Sequence, residues 1–299
     1  MGHIDVKVTH PERVLFPDDG ITKRDLVDYY CKVADTMLPH LKDRPLNVQR
    51  FPRGIDQKGF LQQDFADSAP EWVSRVEVTK EGGTVVHPLA ERPEALGWLA
   101  NQNCITLHAW QSRKGRLDKP DRLVFDLDPS DSDFATVRQT AHAVADVLDD
   151  LELARYLQTT GSRGLHVVVP LRADADFDTA RQFARDVAEV VVADDPGHRT
   201  VEARKEKRDG RIYLDVMRNA YAQTAVAAYS VRPRRGAPVA TPLEWDELAS
   251  RGMRADRFTI RDIPKRLSGQ RDPWADMYRH SRSLNGPIKR LAKLRARTA

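Results

Sequence analysis

The sequence predicts an α+β protein built around a split βαβ unit, an open sheet with helices on one face. Three observations support this prediction. From Arg122 to Met217 the hydrophobic residues alternate between spacings of two and about 3.6 in the order strand, helix, strand, strand, helix, strand. Asp126 and Asp128 lie two residues apart in the first strand, and Asp215 lies in the last. A turn containing two glycines joins the middle strands.

The elements of this unit follow from their residue patterns. A strand is predicted at 122–128, where Leu123, Phe125 and Leu127 take one face, and Val124, Asp126 and Asp128 the other. Two helices, at about 134–149 and 177–193, carry apolar residues at helical spacing. The remaining strands are predicted at 154–159, 165–170 and 211–217.

The flanking segments complete the predicted domain. Thr22 begins a helix to about Leu38, because it can cap the helix and Asp25 follows three residues later. Segment 43–110 contains short strands at 46–51, 73–78, 84–88 and 105–109 and a helix near 94–101. Thr241 to Ser250 is predicted helical, and the basic C-terminus is either a docked helix or a mobile tail. We expect one domain over 1–299: an N-terminal α/β module (about 1–115) packed with the catalytic sheet (about 116–240), and a helical, basic segment (about 241–299).

Composition excludes several classes of protein. Of 299 residues, 40% are hydrophobic and 31% charged, which is typical of a globular chain and not of a disordered one. No run approaches the roughly 18 apolar residues of a membrane span, and the first residues lack a signal-peptide pattern. Two cysteines, Cys31 and Cys104, make a cysteine-rich zinc site improbable. The sequence thus predicts an intracellular protein without a membrane partner.

Basic residues occur in clusters although the net charge is only +4. Such clusters suit a polyanion, whose phosphates supply most of the non-specific affinity of nucleic-acid-binding proteins. A solvated surface is the alternative for any single cluster. The three clusters comprise Lys289, Arg290, Lys293, Arg295 and Arg297; Arg232, Arg234 and Arg235; and Arg204, Lys205, Lys207, Arg208 and Arg211.

Three carboxylates are predicted to converge on one face of the sheet. Asp126 and Asp128 point to the same side of their strand, and Asp215 joins them if its strand is a neighbour. Such a cluster is costly unless divalent cations occupy it, which suggests phosphoryl transfer assisted by two metal ions. Taken alone, an Asp-x-Asp pair also occurs in glycosyltransferases, phosphatases, calcium loops and ordinary strand ends.

The turn from Thr160 to His166 has the residues of a phosphate-binding loop. Gly161 and Gly164 permit close backbone approach, and Ser162 and Arg163 add donors. His166 begins the outgoing strand. An ordinary hairpin with a strand histidine is the alternative interpretation. Lys205 and Arg208, just before the Asp215 strand, are candidate phosphate clamps.

These pieces together resemble a known family. Phe-Asp-Leu-Asp-Pro at 125–129, Gly-Ser-Arg-Gly-Leu-His at 161–166, Tyr-Leu-Asp at 213–215 and Ala-Tyr-Ser-Val-Arg at 228–232 closely resemble the polymerase domain of bacterial LigD-type end-joining DNA ligases, in a stand-alone form. That domain belongs to the archaeo-eukaryotic primase superfamily, so the resemblance implies a primase-polymerase fold. It runs from His10 to Trp245.

The resemblance implies a role for each matching position. The family's metal-binding, catalytic carboxylates, which carry two divalent ions (manganese or magnesium), match Asp126, Asp128 and Asp215. Its positions for the NTP or dNTP substrate match His108, Thr160, Ser162, Arg163, Gly164, His166, Lys205, Arg208 and Arg232. Its DNA-binding positions match Phe60 and the pair Arg13 and Lys23; in the family this basic pair grips a downstream 5′-phosphate.

The sequence departs from its relatives at several of these positions. Leu61 stands where relatives often have a second aromatic residue, and a leucine cannot stack on a base through a π face. Arg13 and Arg163 replace common lysines and keep the charge, whereas Thr160 replaces a common serine and keeps the hydroxyl.

The predicted function is template-directed nucleotidyl transfer to a primer 3′-hydroxyl at short gaps or broken ends of double-stranded DNA. The resemblance further implies a preference for ribonucleotides, a separate ligase and a Ku-type end-binding protein as partners, and a cytoplasmic, nucleoid-associated location in a bacterium. Three rivals stay open: a primase that starts chains unaided, a non-catalytic end-binding or synapsis module, and a metal-dependent nuclease.

Overall fold

The computed structural model describes the backbone of residues 6–80, 82–130 and 133–298, and the side chains of these except 80, 297 and 298. The N-terminal residues considered for a signal peptide are thus partly outside the described chain, as is the side chain of Arg297. The chain forms two compact units. The first comprises the chain up to Lys114, Thr224–Thr241 and Asp256–Asp272; the second comprises Gly115–Gln223, Pro242–Ala255 and the chain from Pro273 onward.

The secondary structure is mixed, as the sequence predicts. The strands are β1 (Val14–Phe16), β2 (Ile21–Thr22), β3 (Leu46–Arg50), β4 (Phe60–Gln62), β5 (Arg75–Lys80), β6 (Gly83–Pro88), β7 (Cys104–Trp110), β8 (Arg122–Asp128), β9 (Tyr156–Thr159), β10 (Leu165–Pro170), β11 (Arg199–Thr200), β12 (Ile212–Asp215), β13 (Thr224–Val226) and β14 (Pro242–Leu243). The helices are α1 (Lys23–Lys32), α2 (Ala34–Leu41), α3 (Pro93–Asn101), α4 (Phe134–Asp150), α5 (Phe177–Asp194), α6 (Ile263–Gly269) and α7 (Asn285–Thr298).

The second unit contains a six-stranded sheet in the order β11-β12-β8-β10-β9-β14. Only the β11–β12 pair is parallel among these described pairings. Helices α4 and α5 pack on β8, whose apolar Leu123, Phe125 and Leu127 are fully buried. The order β8-α4-β9-β10-α5-β12 is the predicted split βαβ unit, and the α+β class is confirmed.

Strand β12 ends two residues earlier than predicted, and the side chain of Asn219 explains why. Its Oδ1 accepts the Val124 N–H at 2.8 Å, and its Nδ2 donates to the carbonyl oxygens of Val124 at 2.8 Å and Val216 at 3.0 Å. Asp215 is the last residue of β12 opposite β8. In the register of this pair Val124 would face Met217, so the buried Asn219 amide satisfies the backbone of Val124 in place of a longer β12.

The first unit contains the four-stranded sheet β13-β7-β3-β4 and the hairpins β1–β2 and β5–β6. Helix α1 begins at the predicted capping box, in which Thr22 and Asp25 exchange side-chain and backbone hydrogen bonds. The predicted single helix from Thr22 to Leu38 is wrong in one respect. It is broken at Val33, whose carbonyl accepts the N–H groups of both Thr36 and Met37 as α2 begins.

The predicted helix from Thr241 to Ser250 is also wrong. Pro242 and Leu243 instead form β14 at the edge of the six-stranded sheet, and a 3-10 helix follows at Trp245–Ala249. The Trp245 indole N–H donates to the Arg155 carbonyl, and the Arg155 guanidinium lies 4.9 Å from the indole ring. Pairing to β9 and this anchor are tertiary contacts that outweigh the local helical pattern.

The basic C-terminal segment forms a docked helix, which decides between the two alternatives. Arg295 on α7 lies 2.7 Å from Asp186 and 3.0 Å from Glu189, both on α5, and Arg290 pairs with Glu152. Leu291 is buried beneath this helix. Across the described part of the chain, no helix combines the length and apolar character needed to cross a membrane.

Candidate active site

The three predicted metal-binding aspartates lie on one face of the six-stranded sheet. Strand pairing places Asp126 on β8 directly opposite Asp215 on β12 and opposite His166 on β10. Asp128 is two residues further along β8 and therefore on the same face, opposite Tyr213. Because side chains alternate along β8, its leucines and phenylalanine lie in the core and its two carboxylates lie on the opposite face of the sheet.

Positive groups surround these carboxylates. The Arg218 Nε lies 3.3 Å from Asp126 Oδ2 and 3.4 Å from Asp215 Oδ2, so one guanidinium bridges two strands. Arg163 and Arg208 each place a terminal nitrogen 3.1 Å from a different oxygen of Asp128. The cluster is thus neutralised by arginines from three separate segments.

His166 is the fourth polar side chain of this row. Its Nε2 lies 3.4 Å from Asp126 Oδ1, and its Nδ1 lies 3.2 Å from the Gln158 side-chain nitrogen. If that amide nitrogen donates to Nδ1, the neutral ring carries its proton on Nε2, toward Asp126. The ring is buried, so its orientation is fixed by these two neighbours.

The two facing carboxylates have different acidities. Burial pushes the pKa of Asp126 upward, but His166 and Arg218 together outweigh this, and the pKa is lowered below its usual value. Burial raises the pKa of Asp215; Arg218 opposes the rise and the nearby Asp126 adds to it, leaving a raised pKa. The pair therefore favours one negative charge on Asp126 before a second on Asp215.

The turn from Thr160 to Gly164 is fixed by its own hydrogen bonds. The Thr160 hydroxyl donates to the Gly164 carbonyl at 3.1 Å and accepts the Gly164 N–H at 3.2 Å. Gly161 has a φ of 63°, in the left-handed region. Ser162 is half-buried and Arg163 is exposed at the tip, beside Asp128.

Gly164 is required for a different reason. A Cβ at this position would lie 2.0 Å from the Leu127 carbonyl oxygen, a backbone atom of β8. Gly164 therefore permits the turn to approach the strand that carries the carboxylates.

Of the two predicted phosphate clamps in the basic turn before β12, Arg208 is held in place by the surrounding structure and Lys205 is exposed. Arg208 is buried; its guanidinium donates to the carbonyls of Glu202 and Ala203 and lies 4.1 Å from the Tyr213 ring. Lys205 is exposed at the start of a 3-10 helix, Lys205–Lys207. Tyr213 itself has a pKa raised by burial to about 12.

The donor set fits divalent cations, although the carboxylates point to arginines. No group of three or more His, Cys, Asp or Glu side chains among the described residues is arranged around one metal position. Carboxylate oxygens are the ligands that magnesium and manganese prefer. Asp126 and Asp215 share one positive charge, that of Arg218.

The predicted DNA-binding residues all lie in the first unit, where three basic residues are close together. Lys23 is buried and its Nζ contacts the Thr9 hydroxyl at 3.0 Å. Burial lowers the pKa of Lys23, and Arg13 and then Arg50 lower it further. The Arg50 guanidinium lies 5.6 Å from the ring of Phe60, which is exposed. Cations held this close repel one another, and a bound anion relieves that repulsion, so the cluster is suited to bind an anion.

His108 and Arg232 also belong to the first unit. His108 is half-buried on β7, where Asn47 on β3 and Val226 on β13 flank it. Arg232 is half-buried, and its N–H donates to the Pro238 carbonyl. Their predicted roles in nucleotide binding stay predictions, as do those of the remaining residues of the site.

Sequence reasoning missed Arg218, Gln158 and Asn219. Arg218 follows Asp215 by three residues, so its position beside a predicted ligand was a signal in the sequence. Gln158 contacts His166 because β9 pairs with β10, and Asn219 binds the backbone of Val124 beyond the end of β12. Both contacts depend on which strands become neighbours.

Comparison with known proteins shows which family the chain resembles. Residues 22–274 match the family model for the LigD primase-polymerase domain. The multifunctional non-homologous end joining protein LigD of Mycolicibacterium smegmatis is 37% identical over 256 residues, covering 85% of this chain and 34% of that protein. The bifunctional non-homologous end joining protein LigD of Bacillus subtilis is 31% identical over 281 residues, covering 93% of this chain and 45% of that protein.

A solved structure extends the similarity to the fold. The polymerase domain from Mycobacterium tuberculosis ligase D, in complex with DNA, superposes with a TM-score of 0.87 at 33% identity. The match covers 93% of this chain and 99% of that one. The chain spans about a third of the length of the mycobacterial relatives, 34% in each case.

Proposed function

Because the chain belongs to the LigD primase-polymerase family, we propose that it is a DNA-directed nucleotidyltransferase that fills short gaps or extends broken ends. The observation that carries this proposal is the row of Asp126, Asp215 and Asp128 beside the turn at Gly164. Relatives named for non-homologous end joining, and a similar domain solved with DNA, support DNA repair as the setting.

The chemistry is transfer of a nucleotidyl group. The primer 3′-hydroxyl gives its proton to water, its oxygen forms a bond to the α-phosphorus of the incoming nucleotide, the bond from that phosphorus to the bridging oxygen of the β-phosphate breaks, and pyrophosphate leaves. Two divalent ions, manganese or magnesium, would lower the pKa of the 3′-hydroxyl and stabilise the charge on pyrophosphate. Asp126, Asp128 and Asp215 are the residues that would hold them.

The other residues of the second unit act on the triphosphate. Arg163, which pairs with Asp128 from the exposed tip of the turn, would turn to phosphate oxygens and offset charge as it develops there. Arg208, which is buried and anchored, would act on the same charge from its present place. The turn closed by Thr160 and Gly164 would bring the Ser162 hydroxyl close to the same oxygens. His166 would keep Asp126 oriented by its contact at 3.4 Å.

Further residues are assigned to nucleotide and to DNA. His108, Lys205 and Arg232 complete the proposed set for the nucleotide. Arg13 and Lys23 would bind a downstream 5′-phosphate, and the exposed Phe60 would stack on a base. Ribonucleotides as the preferred substrate, and a ligase and a Ku-type protein as separate partners, complete the proposal.

Primer extension on a short-gapped duplex tests the proposed activity. Asp128→Asn should lower turnover by about 10³-fold or more, because the loss of one carboxylate removes electrostatic support made in the transition state. DNA affinity should stay within about twofold, since backbone phosphate contacts supply it. Asp178→Asn is the matched control, because Asp178 is an exposed helical aspartate with 90% of its side chain accessible.

The outcomes separate the rival functions. Tight DNA binding without extension would contradict a polymerase and favour an end-binding module. Products made without a primer would favour a primase, and shortened strands without nucleotide consumption would favour a nuclease. Near wild-type turnover in Asp128→Asn would overturn the assignment of the carboxylates.

Lys23→Met tests the proposed 5′-phosphate site. The stimulation of gap filling by a downstream 5′-phosphate should fall by about tenfold, because one charge-assisted contact is lost. The melting temperature of the protein should not fall and should rise by about 1–3 °C, because the buried charge near Arg13 and Arg50 is removed. Lys32→Met, at the exposed end of the same helix, is the control. Equal stimulation by the 5′-phosphate in both variants would contradict the site.

A further inference from the structure

Arg218 occupies an unusual place among the arginines near the carboxylates. Its Nε lies between Asp126 Oδ2 and Asp215 Oδ2, at 3.3 and 3.4 Å, whereas Arg163 and Arg208 contact Asp128. Asp126 and Asp215 are residues facing each other on neighbouring strands. Two such carboxylates repel each other strongly when both are ionised, and a bridging cation removes that repulsion.

The side chain of Arg218 is able to leave this place without disturbing the fold. Its backbone lies in the 3-10 helix Met217–Asn219, which Asn219 fastens to β8 through Val124. The side chain remains 42% accessible, and the ion pairs described for it are with the two aspartates. Arg208 differs, since it is buried and anchored by two carbonyls and the Tyr213 ring.

A divalent cation held by Asp126 and Asp215 would need the oxygens that Arg218 now contacts. Both cations cannot share the same oxygens at bonding distance without strong mutual repulsion. Every carboxylate contact that stabilises Arg218 in place therefore reduces the net free energy gained when the metal binds.

We propose that Arg218 is a built-in competitor of the metal: its guanidinium must be displaced from Asp126 and Asp215 before a divalent cation binds there. Arg218 is thereby a positioning residue that sets the metal concentration at which the site fills, and until then it offsets the repulsion between the two carboxylates and orders them. This inference rests on the proposed function, because it takes the aspartates as metal ligands.

Direct measurement of manganese binding tests this role without any turnover. Isothermal titration calorimetry, with electron paramagnetic resonance of unbound Mn²⁺ as a second readout, would compare the parent protein with Arg218→Gln and Arg218→Lys. Arg218→Gln should bind Mn²⁺ about tenfold more tightly, since the competing ion pairs are gone. Arg218→Lys should lie close to the parent, because it retains a cation of similar reach. Arg181→Gln, which removes an arginine from an exposed pair with Asp178, should leave the affinity unchanged.

Thermal melts with a chelator and with Mn²⁺ provide the second measurement. Arg218→Gln should melt lower than the parent in the chelator and gain more from Mn²⁺, because its aspartates repel each other until a cation arrives. A variant that binds Mn²⁺ no more tightly than the parent overturns the inference.

The same titrations distinguish a failure of the proposed competition by Arg218 from a failure of the proposed metal site. If the parent and Arg218→Gln bind Mn²⁺ equally, and Asp126→Asn abolishes binding, the metal site stands and only the competition fails. If neither the parent nor Arg218→Gln binds Mn²⁺, the metal site fails and the competition with it.

Discussion

Gly164 illustrates how one residue determines the distance between two parts of the site. A methyl group there would meet the Leu127 carbonyl oxygen at 2.0 Å and its carbon at 3.1 Å. Both are backbone atoms of β8, so they cannot rotate away as the end of a side chain could. The turn that carries Arg163 therefore approaches Asp128 only with glycine at position 164.

Gly164→Ala should separate the turn from β8 and weaken the site. We expect turnover to fall by about 10²-fold, because displacements near 1 Å have that effect on aligned reacting groups. The free energy of unfolding should fall by about 1–3 kcal/mol, as for other overpacked positions. Primer-extension rates and urea denaturation measure the two effects. Gly269→Ala, where no atom lies within 4 Å of the added Cβ, should leave both near the parent values; parent-like turnover in Gly164→Ala would refute the steric account.

At the scale of elements, the end of β12 determines where Arg218 is placed. The alternation of Tyr213, Leu214 and Asp215 in the sequence predicts the strand and its open face. It does not predict that Asp215 ends the strand, because that depends on the Asn219 amide replacing a strand partner of Val124. Local patterns determine which side a residue faces, whereas the partner across the sheet depends on topology.

Asn219→Ala should detach the 3-10 helix from β8. The change removes the hydrogen bonds that the Asn219 side chain makes with the N–H and carbonyl of Val124. We therefore expect the free energy of unfolding to fall by about 2–4 kcal/mol. Hydrogen exchange should show faster exchange of the Val124 amide than in the parent. Gln270→Ala, at an exposed amide, is the control. Unchanged protection at Val124 would show that the Asn219 side chain does not hold this backbone.

At the scale of the molecule, the core of the first unit carries tyrosines that resist ionisation. Burial, with a smaller contribution from Tyr30, raises the pKa of Tyr29, and burial raises that of Tyr30. Burial and then Asp272, whose Oδ1 accepts the Tyr229 hydroxyl at 2.6 Å, raise the pKa of Tyr229. Burial also raises the pKa of the Cys104 thiol to about 12.

These groups predict a loss of stability in alkaline solution. Their pKa values are raised in the folded state, so unfolding releases their protons once the pH exceeds the ordinary values of about 8.5 for cysteine and 10 for tyrosine. Stability is therefore full below about pH 8.5. It falls by about 1.4 kcal/mol per pH unit between about pH 8.5 and 10, where the cysteine contributes, and by about 5.5 kcal/mol per pH unit above about pH 10, where the three tyrosines contribute as well. Urea denaturation from pH 8 to 11 measures both slopes. Tyr29→Phe should reduce the steeper one by about 1.4 kcal/mol per pH unit, and a flat profile would contradict the prediction.

The sequence predicted more of the second unit than of the first. The split βαβ order and the shared face of Asp126 and Asp128 follow from periodicity. The inclusion of Thr224–Thr241 and Asp256–Asp272 in the first unit depends on long-range pairing, such as β13 with β7. The contact of Arg218 with Asp126 and that of Gln158 with His166 depend on which strands become neighbours, so periodicity does not predict them.

The two borders of the six-stranded sheet limit how other chains can associate with it. Strand β11 at one border and β14 at the other have two residues each, and β14 contains Pro242, which has no N–H to offer. Short borders of this kind discourage the addition of a foreign strand and so protect against aggregation through open sheet edges. A partner of this unit must therefore be recognised by side chains and not by extension of the sheet.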